Sequence, residues 1–129
     1  MSAPLVLVVD DDPDICDLVE IKLARLGYQV HTRPDGVQGL EAARSLHPAL
    51  IVLDWMMPGR NGIEVLEELR ADPDPVLSGV PVLMATAKTQ PDDLARCTAA
   101  GATDCVAKPF SLRELSARVE ALVGVAPGG

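Results

Sequence analysis

The sequence predicts an α/β domain built on a five-stranded parallel sheet. Three observations lead there. Apolar runs alternate with amphipathic segments along the chain, several of those runs are apolar without interruption, and capping or turn residues fall at the junctions. Leu5–Asp10 opens the series; its Leu-Val-Leu-Val-Val core has no polar position, as expected of a strand covered on both faces. Asp12-Pro13 then supplies an N-cap and a proline for the first helical position. Ile15, Leu18, Val19, Leu23 and Leu26 form one apolar stripe on the first helix, which Gly27 can end. Tyr28–Thr32 is the second strand. Val37, Leu40, Ala43 and Leu46 mark the second helix, ahead of Pro48. Ala49–Asp54 is the third strand, apolar until its terminal carboxylate, and Pro58-Gly59 forces the chain to turn after it. Ile63, Leu66 and Leu69 mark the third helix. Asp72–Pro81, with two Asp-Pro steps and Ser78-Gly79, reads as a longer connection. Val80–Ala87 is the fourth strand, and the fourth helix starts after Pro91-Asp-Asp and stops at Gly101. Asp104–Ala107 is the fifth strand. Ser111-x-x-Glu114 is a capping-box pattern opening the fifth helix, whose apolar face is Leu112, Leu115, Val119 and Leu122. Alternation of this kind implies parallel pairing and right-handed crossovers. Residues 1–124 are expected to form the domain, and 125–129 a flexible tail or the start of a linker.

Composition narrows the function classes. At 129 residues the chain suits one domain with a real core, and 48% apolar content argues against disorder. Aromatics are only 2%, so aliphatic residues must fill that core. A net charge of -8 and a pI near 4.5 give a surface that does not track a phosphate backbone, so no direct nucleic-acid binding is expected of this domain. No apolar stretch approaches membrane-spanning length and no signal peptide precedes the first strand, so no membrane association is expected. Cys16, Cys97 and Cys105 are odd in number and widely spaced. They form neither a disulfide framework nor a zinc pattern, which fits a reducing, cytoplasmic setting.

The chemistry gathers at strand ends. Asp10 and Asp11 end the first strand, Asp54 the third, Thr86 lies at the end of the fourth, and Lys108 follows the fifth. In a parallel sheet those ends converge on one edge, where α/β proteins keep their sites. Clustered carboxylates repel by roughly 4 kcal/mol per pair at about 4 Å and an effective dielectric near 20. A resident cation offsets that repulsion, and hard magnesium (Mg2+), held by one or two carboxylates, a carbonyl and waters, suits such a donor set. Asp54 is then an oxygen nucleophile able to form an aspartyl phosphate, with Lys108 and the Thr86 hydroxyl as partners for phosphoryl oxygens.

The segments Val-Val-Asp10-Asp11, Leu-Asp54-x-Met-Met-Pro-Gly-x-x-Gly, Met-Ala-Thr86-Ala and Lys108-Pro109-Phe110 occur in the order and spacing of a known family. The chain resembles the receiver domain of two-component response regulators over about residues 4–123. The resemblance implies a flavodoxin-like doubly wound sheet of order 2-1-3-4-5 with five helices. It implies a phosphoacceptor switch rather than a turnover enzyme. The phosphoryl group would pass to Asp54 from a histidine kinase or histidine phosphotransfer protein, in a transfer that the receiver itself catalyses. It also implies metal ligation by Asp11, Asp54 and the Met56 backbone carbonyl, with Asp10 nearby and acting mainly through water. The Lys108-Pro109 step matches one that is usually cis in the family. The output surface would be the fourth helix, fifth strand and fifth helix, acting on an effector domain or target protein. Asp104, Glu114 and Arg118 match surface charges through which winged-helix members form phosphorylation-dependent homodimers, while Leu94 stands where a basic partner is expected.

Other departures are specific. Cys105 occupies the position of the family's switch aromatic, three residues before the lysine. Met56 and Lys88, two residues after Asp54 and Thr86, occupy positions that tune phosphoryl lifetime, and this bulky, non-catalytic pair predicts slow autodephosphorylation. Competing readings are weaker. Asp10, Asp12 and Asp14 mimic the start of a calcium loop, but Ile15 replaces its glycine and Ile21 its closing glutamate. A dehalogenase-type phosphatase needs a second Asp where Met56 stands. A pseudo-receiver that is never phosphorylated would not be expected to retain Asp11, Asp54, Thr86 and Lys108 together. His31 and His47 fall in no ligand spacing.

Overall fold

The computed structural model describes residues 3–124. The expected tail, 125–129, lies outside the described residues. Its elements are β1 (Leu5–Val9), α1 (Pro13–Arg25), β2 (Gln29–Arg33), α2 (Gly36–Leu46), β3 (Leu50–Asp54), α3 (Gly62–Arg70), α4 (Pro75–Ser78), β4 (Val82–Thr86), α5 (Pro91–Ala100), β5 (Asp104–Ala107) and α6 (Leu112–Val123). The strands form one parallel sheet in the order β2-β1-β3-β4-β5, the doubly wound flavodoxin-like arrangement.

Among the described residues there are six helices rather than five. The extra one, α4, is a single turn inside the Asp72–Pro81 connection. Asp74 caps it by accepting the Val76 N–H, and Pro75 occupies its first turn. Four residues are too few to show a helical period, so only the cap and the proline signalled it. The fourth and fifth helices of the sequence reading are therefore α5 and α6. β4 also starts later than expected. Pro81 precedes it and has no N–H to give, although its carbonyl accepts from Ile51.

Helix ends follow local chemistry. Asp12 caps α1 by accepting from Asp14 and Ile15. At α6 only half of the expected box forms: Ser111 accepts the Glu114 N–H, while the Glu114 carboxylate faces Arg118. A complete capping box sits instead at α3, between Asn61 and Glu64.

Alternate strand residues feed two cores. Leu7, Val9, Ile51, Leu53, Val82 and Met84 pack with α2, α3, α4 and α5. On the other face, Val6, Val8, Leu50, Val52, Leu83 and Val106 pack with α1 and α6. Because both faces are covered, β1, β3 and β4 carry no polar side chain before their last residues. At the opposite end of the domain from those strand tips, the half-buried Arg70 guanidinium donates to the carbonyls of Gly101 and Ser78, so it holds the ends of α5 and α4 against α3. Gly101 ends α5 at φ 106°, and a Cβ there would meet the Arg70 side chain at 2.9 Å.

Candidate phosphoacceptor site

Register places the polar residues in successive steps along one edge. Val9 pairs with Leu53, so Asp10 and Asp54 leave the sheet level with each other. Asp54 pairs with Ala85, which puts Thr86 one residue further on, and Thr86 pairs with Ala107, which puts Lys108 next. The structure thus brings Asp10, Asp11, Asp54 and Lys108 together and sets Thr86 beside them.

Carboxylate oxygens of Asp10, Asp11 and Asp54 lie within 4.8 Å of one another, Asp11 exposed and the other two buried. The Lys108 ammonium lies 2.8 Å from Asp10 Oδ2 and 3.2 Å from Asp54 Oδ1. Asp10 is engaged at both oxygens, since its Oδ1 accepts the Asp12 N–H at 2.9 Å. That leaves Asp11 and Asp54 better placed to offer a direct oxygen to a cation. Burial is the largest influence on Asp54 and pushes its carboxyl up to about 6; the Asp10 charge adds to this and Lys108 opposes it. Burial also works against the Lys108 charge, but its hydrogen bond to Asp10 and the charges of Asp10 and Asp54 hold it above its ordinary value. Three carboxylates facing one ammonium leave the site short of positive charge, and an oxygen-only donor set of this kind fits a hard divalent cation.

Thr86 is buried, and its Oγ1 accepts the Lys88 N–H at 2.8 Å. A hydroxyl has one proton to give, and this bond does not use it. The Lys108-Pro109 peptide is cis. The Met56 side chain is exposed, as is Lys88.

Further site features lay beyond the sequence reading. Gly62 is pressed against the end of β3: its N–H donates to the Trp55 carbonyl, and a Cβ there would lie 2.4 Å from the Asp54 carbonyl oxygen. The Lys88 ammonium stands 5.6 Å from the centroid of the buried Trp55 ring. His47 faces Asp74 at 2.9 Å, an exposed contact far from the acidic cluster that holds the Asp74 carboxyl below its ordinary value. Cys105 is half-buried and packs against the core that contains Cys97; burial raises both thiols, Cys97 to about 12. Asp104, Glu114 and Arg118 come together within the chain, with Arg118 at 2.9 Å from Asp104 and 3.7 Å from Glu114.

Comparison with known proteins identifies the family. The response regulator receiver domain family matches residues 6–120, and the chain belongs to that family. It is a receiver domain of the kind used in phosphorylation-dependent two-component signalling. It is 47% identical over 116 residues to the DNA-binding response regulator MtrA of Mycolicibacterium smegmatis, covering 90% of this chain and 49% of that protein. It is 43% identical over 120 residues to the DNA-binding dual master transcriptional regulator RpaA of Synechocystis, covering 93% and 49%. The chain thus spans about half the length of these curated relatives. Among solved structures, chemotaxis protein CheY4 of Vibrio cholerae superposes with a TM-score of 0.88 at 30% identity, covering 94% of this chain and 99% of that one. The receiver domain of sensor histidine kinase PA1611 from Pseudomonas aeruginosa, which holds a magnesium ion in its active-site cleft, superposes with a TM-score of 0.85 at 30% identity, covering 95% and 99%. Among the described residues no helix is long and apolar enough to cross a membrane.

Proposed function

We propose that Asp54 is the phosphoacceptor of a cytoplasmic signalling switch, and that the domain is not a turnover enzyme. The observation that carries this reading is the buried Asp54 carboxylate at a strand tip, 3.2 Å from the Lys108 ammonium and grouped with Asp10 and Asp11. Asp54 Oδ attacks the phosphorus of a phosphohistidine. The new P–O bond forms as the P–N bond breaks, and the departing imidazole nitrogen keeps the bonding electron pair and takes a proton from water. Lys108 turns from the Asp54 oxygen it now pairs with to a phosphoryl oxygen, and the Thr86 hydroxyl donates its spare proton to another. Asp11, Asp54 and the Met56 carbonyl would hold Mg2+, with Asp10 reaching it through water. When bound, that ion neutralises charge on the transferring group.

The donor is a histidine kinase or histidine phosphotransfer protein. To reach Asp54, its imidazole must pass the rim next to Lys108. There Ile15, Leu18, Val19, Phe110 and Leu112 line an apolar groove of about 390 Å³, suited to an apolar helix face. The output passes through α5, β5 and α6 to an effector domain or target protein; the half-length match to DNA-binding regulators favours an effector joined to this domain. A phosphorylation-dependent homodimer on that face would have to share Asp104, Glu114 and Arg118, which now pair within one chain.

Incubation with Mg2+ and acetyl phosphate, read by intact mass, tests the reading. A single-phosphate adduct that disappears in Asp54→Ala is expected; its absence from the parent would leave a pseudo-receiver. Trp55 fluorescence should respond to Mg2+ in the parent and much less in Asp11→Ala, whereas an identical titration would remove Asp11 from the ligand set. The exposed, bulky Met56 and Lys88 restrict water at the phosphoryl group, so the adduct should decay slowly. Complete loss within seconds would overturn that.

A further inference from the structure

We propose that Lys88 is a positioning residue for Thr86, held in place by the face of the Trp55 ring. This inference rests on the reading of Asp54 as phosphoacceptor. Trp55 is the next residue after Asp54 and is fixed twice by its backbone: its N–H donates to the Ala85 carbonyl at 3.2 Å, and its carbonyl accepts from Gly62 at 2.8 Å. The indole is buried, in the core cluster that also holds Leu53 of β3 and Met84 of β4. Lys88 is otherwise solvent-exposed, yet its ammonium stands over this ring at 5.6 Å, within the range of a cation–π contact. The same residue's N–H fills one acceptor position of the Thr86 hydroxyl at 2.8 Å. Ring, ammonium, amide and hydroxyl thus form one connected path from the end of β3 to the end of the neighbouring β4. With an acceptor position of Thr86 Oγ1 occupied by a fixed amide, the hydroxyl proton is restricted to fewer directions. A hydroxyl oriented before the phosphoryl group arrives loses less freedom when it donates to it.

The test uses the whole chain with Mg2+ and acetyl phosphate, following adduct formation by intact mass. Lys88→Ala should slow formation by about two- to five-fold, the worth of an exposed cation–π contact. Lys88→Arg, which also stacks on indole, should restore a rate near the parent's. Acrylamide quenching of Trp55 should rise in Lys88→Ala and stay near the parent's value in Lys88→Arg. Losing a cation near the site could also slow an anionic donor without involving Thr86, so the decisive arm is a double-mutant cycle with Thr86→Ala. If Lys88 acts through Thr86, Lys88→Ala has no further effect in that background. An equal slowing in both backgrounds would overturn the proposal and assign Lys88 to donor attraction. Unchanged quenching in Lys88→Ala would overturn it by removing the ring contact. Absence of an adduct in the parent would overturn both this inference and the phosphoacceptor reading, whereas a normal adduct with an equal slowing overturns this inference only.

Discussion

The strand-tip edge and the α5–β5–α6 face handle charge in opposite ways. At the edge, Asp10 and Asp54 are about 95% buried and share one ammonium that is itself largely enclosed. On the face, Arg118 and Asp104 pair at a similar distance, but their side chains remain 35% and 41% exposed. Water screens the second pair and substitutes for either partner once it is gone, whereas the first has no such substitute. The edge is therefore a place where every neighbour matters. The face is one where individual charges can be exchanged for those of a partner. Cys105 fits the tolerant side of this contrast, as a small uncharged thiol packed beside Cys97.

The largest expected break is steric. Gly62→Ala would place a methyl group 2.4 Å from the Asp54 carbonyl, against backbone that cannot yield without moving Asp54. We expect a loss of roughly 3 kcal/mol in urea unfolding, together with slower adduct formation. A loss below about 1 kcal/mol would show that the edge relaxes more easily than its packing implies.

The next break is electrostatic and has a defined sign. The Asp54 carboxyl sits at about 6 in the folded chain, above its usual 3.8, chiefly because of burial. Below about pH 4 it is protonated in both folded and unfolded chains and has no effect on stability; above about pH 6 its ionised form opposes folding. Without Mg2+, Asp54→Asn should therefore stabilise the protein at pH 7 by about 1–3 kcal/mol, and the gain should close as pH falls from about 6 to 4. A gain that persists at pH 4 would mean that the charge is not its source. The smallest effect belongs to the face. Arg118→Ala should change stability by about 1 kcal/mol or less, and added salt should shrink the difference. A larger, salt-insensitive loss would erase the contrast and point to its bond to the Cys105 carbonyl at 3.0 Å.

Much of the molecule was legible in advance, for physical reasons. Leu5–Val9, Leu50–Asp54 and Val82–Thr86 are covered on both sides, so each reads as an unbroken apolar run, and the first polar residue after such a run marks the strand tip. Asp10, Asp54 and Thr86 are those residues, and Lys108 directly follows the shorter β5 and precedes Pro109. Relations between distant positions carried no such signal. Nothing in the chain announces that Lys88 lies over Trp55, that Gly62 abuts the Asp54 carbonyl, or that Arg70 reaches Gly101. Arg70 in particular bonds to backbone carbonyls, which every residue possesses, so its partners have no distinguishing side chain. The Asn61-x-x-Glu64 and Ser111-x-x-Glu114 spacings carry the same pattern; Asn61 and Ser111 both cap their helices, but the reciprocal Glu bond forms only at Asn61.

Arg70 also distinguishes the two ends of α5. Its guanidinium holds the Gly101 end of α5 with Nε and Nη2, while Gln90 at the opposite end makes no side-chain cap. The end of α5 that a side chain holds is thus the one farthest from the strand tips, and the end that no side chain caps follows the Thr86–Lys88 segment.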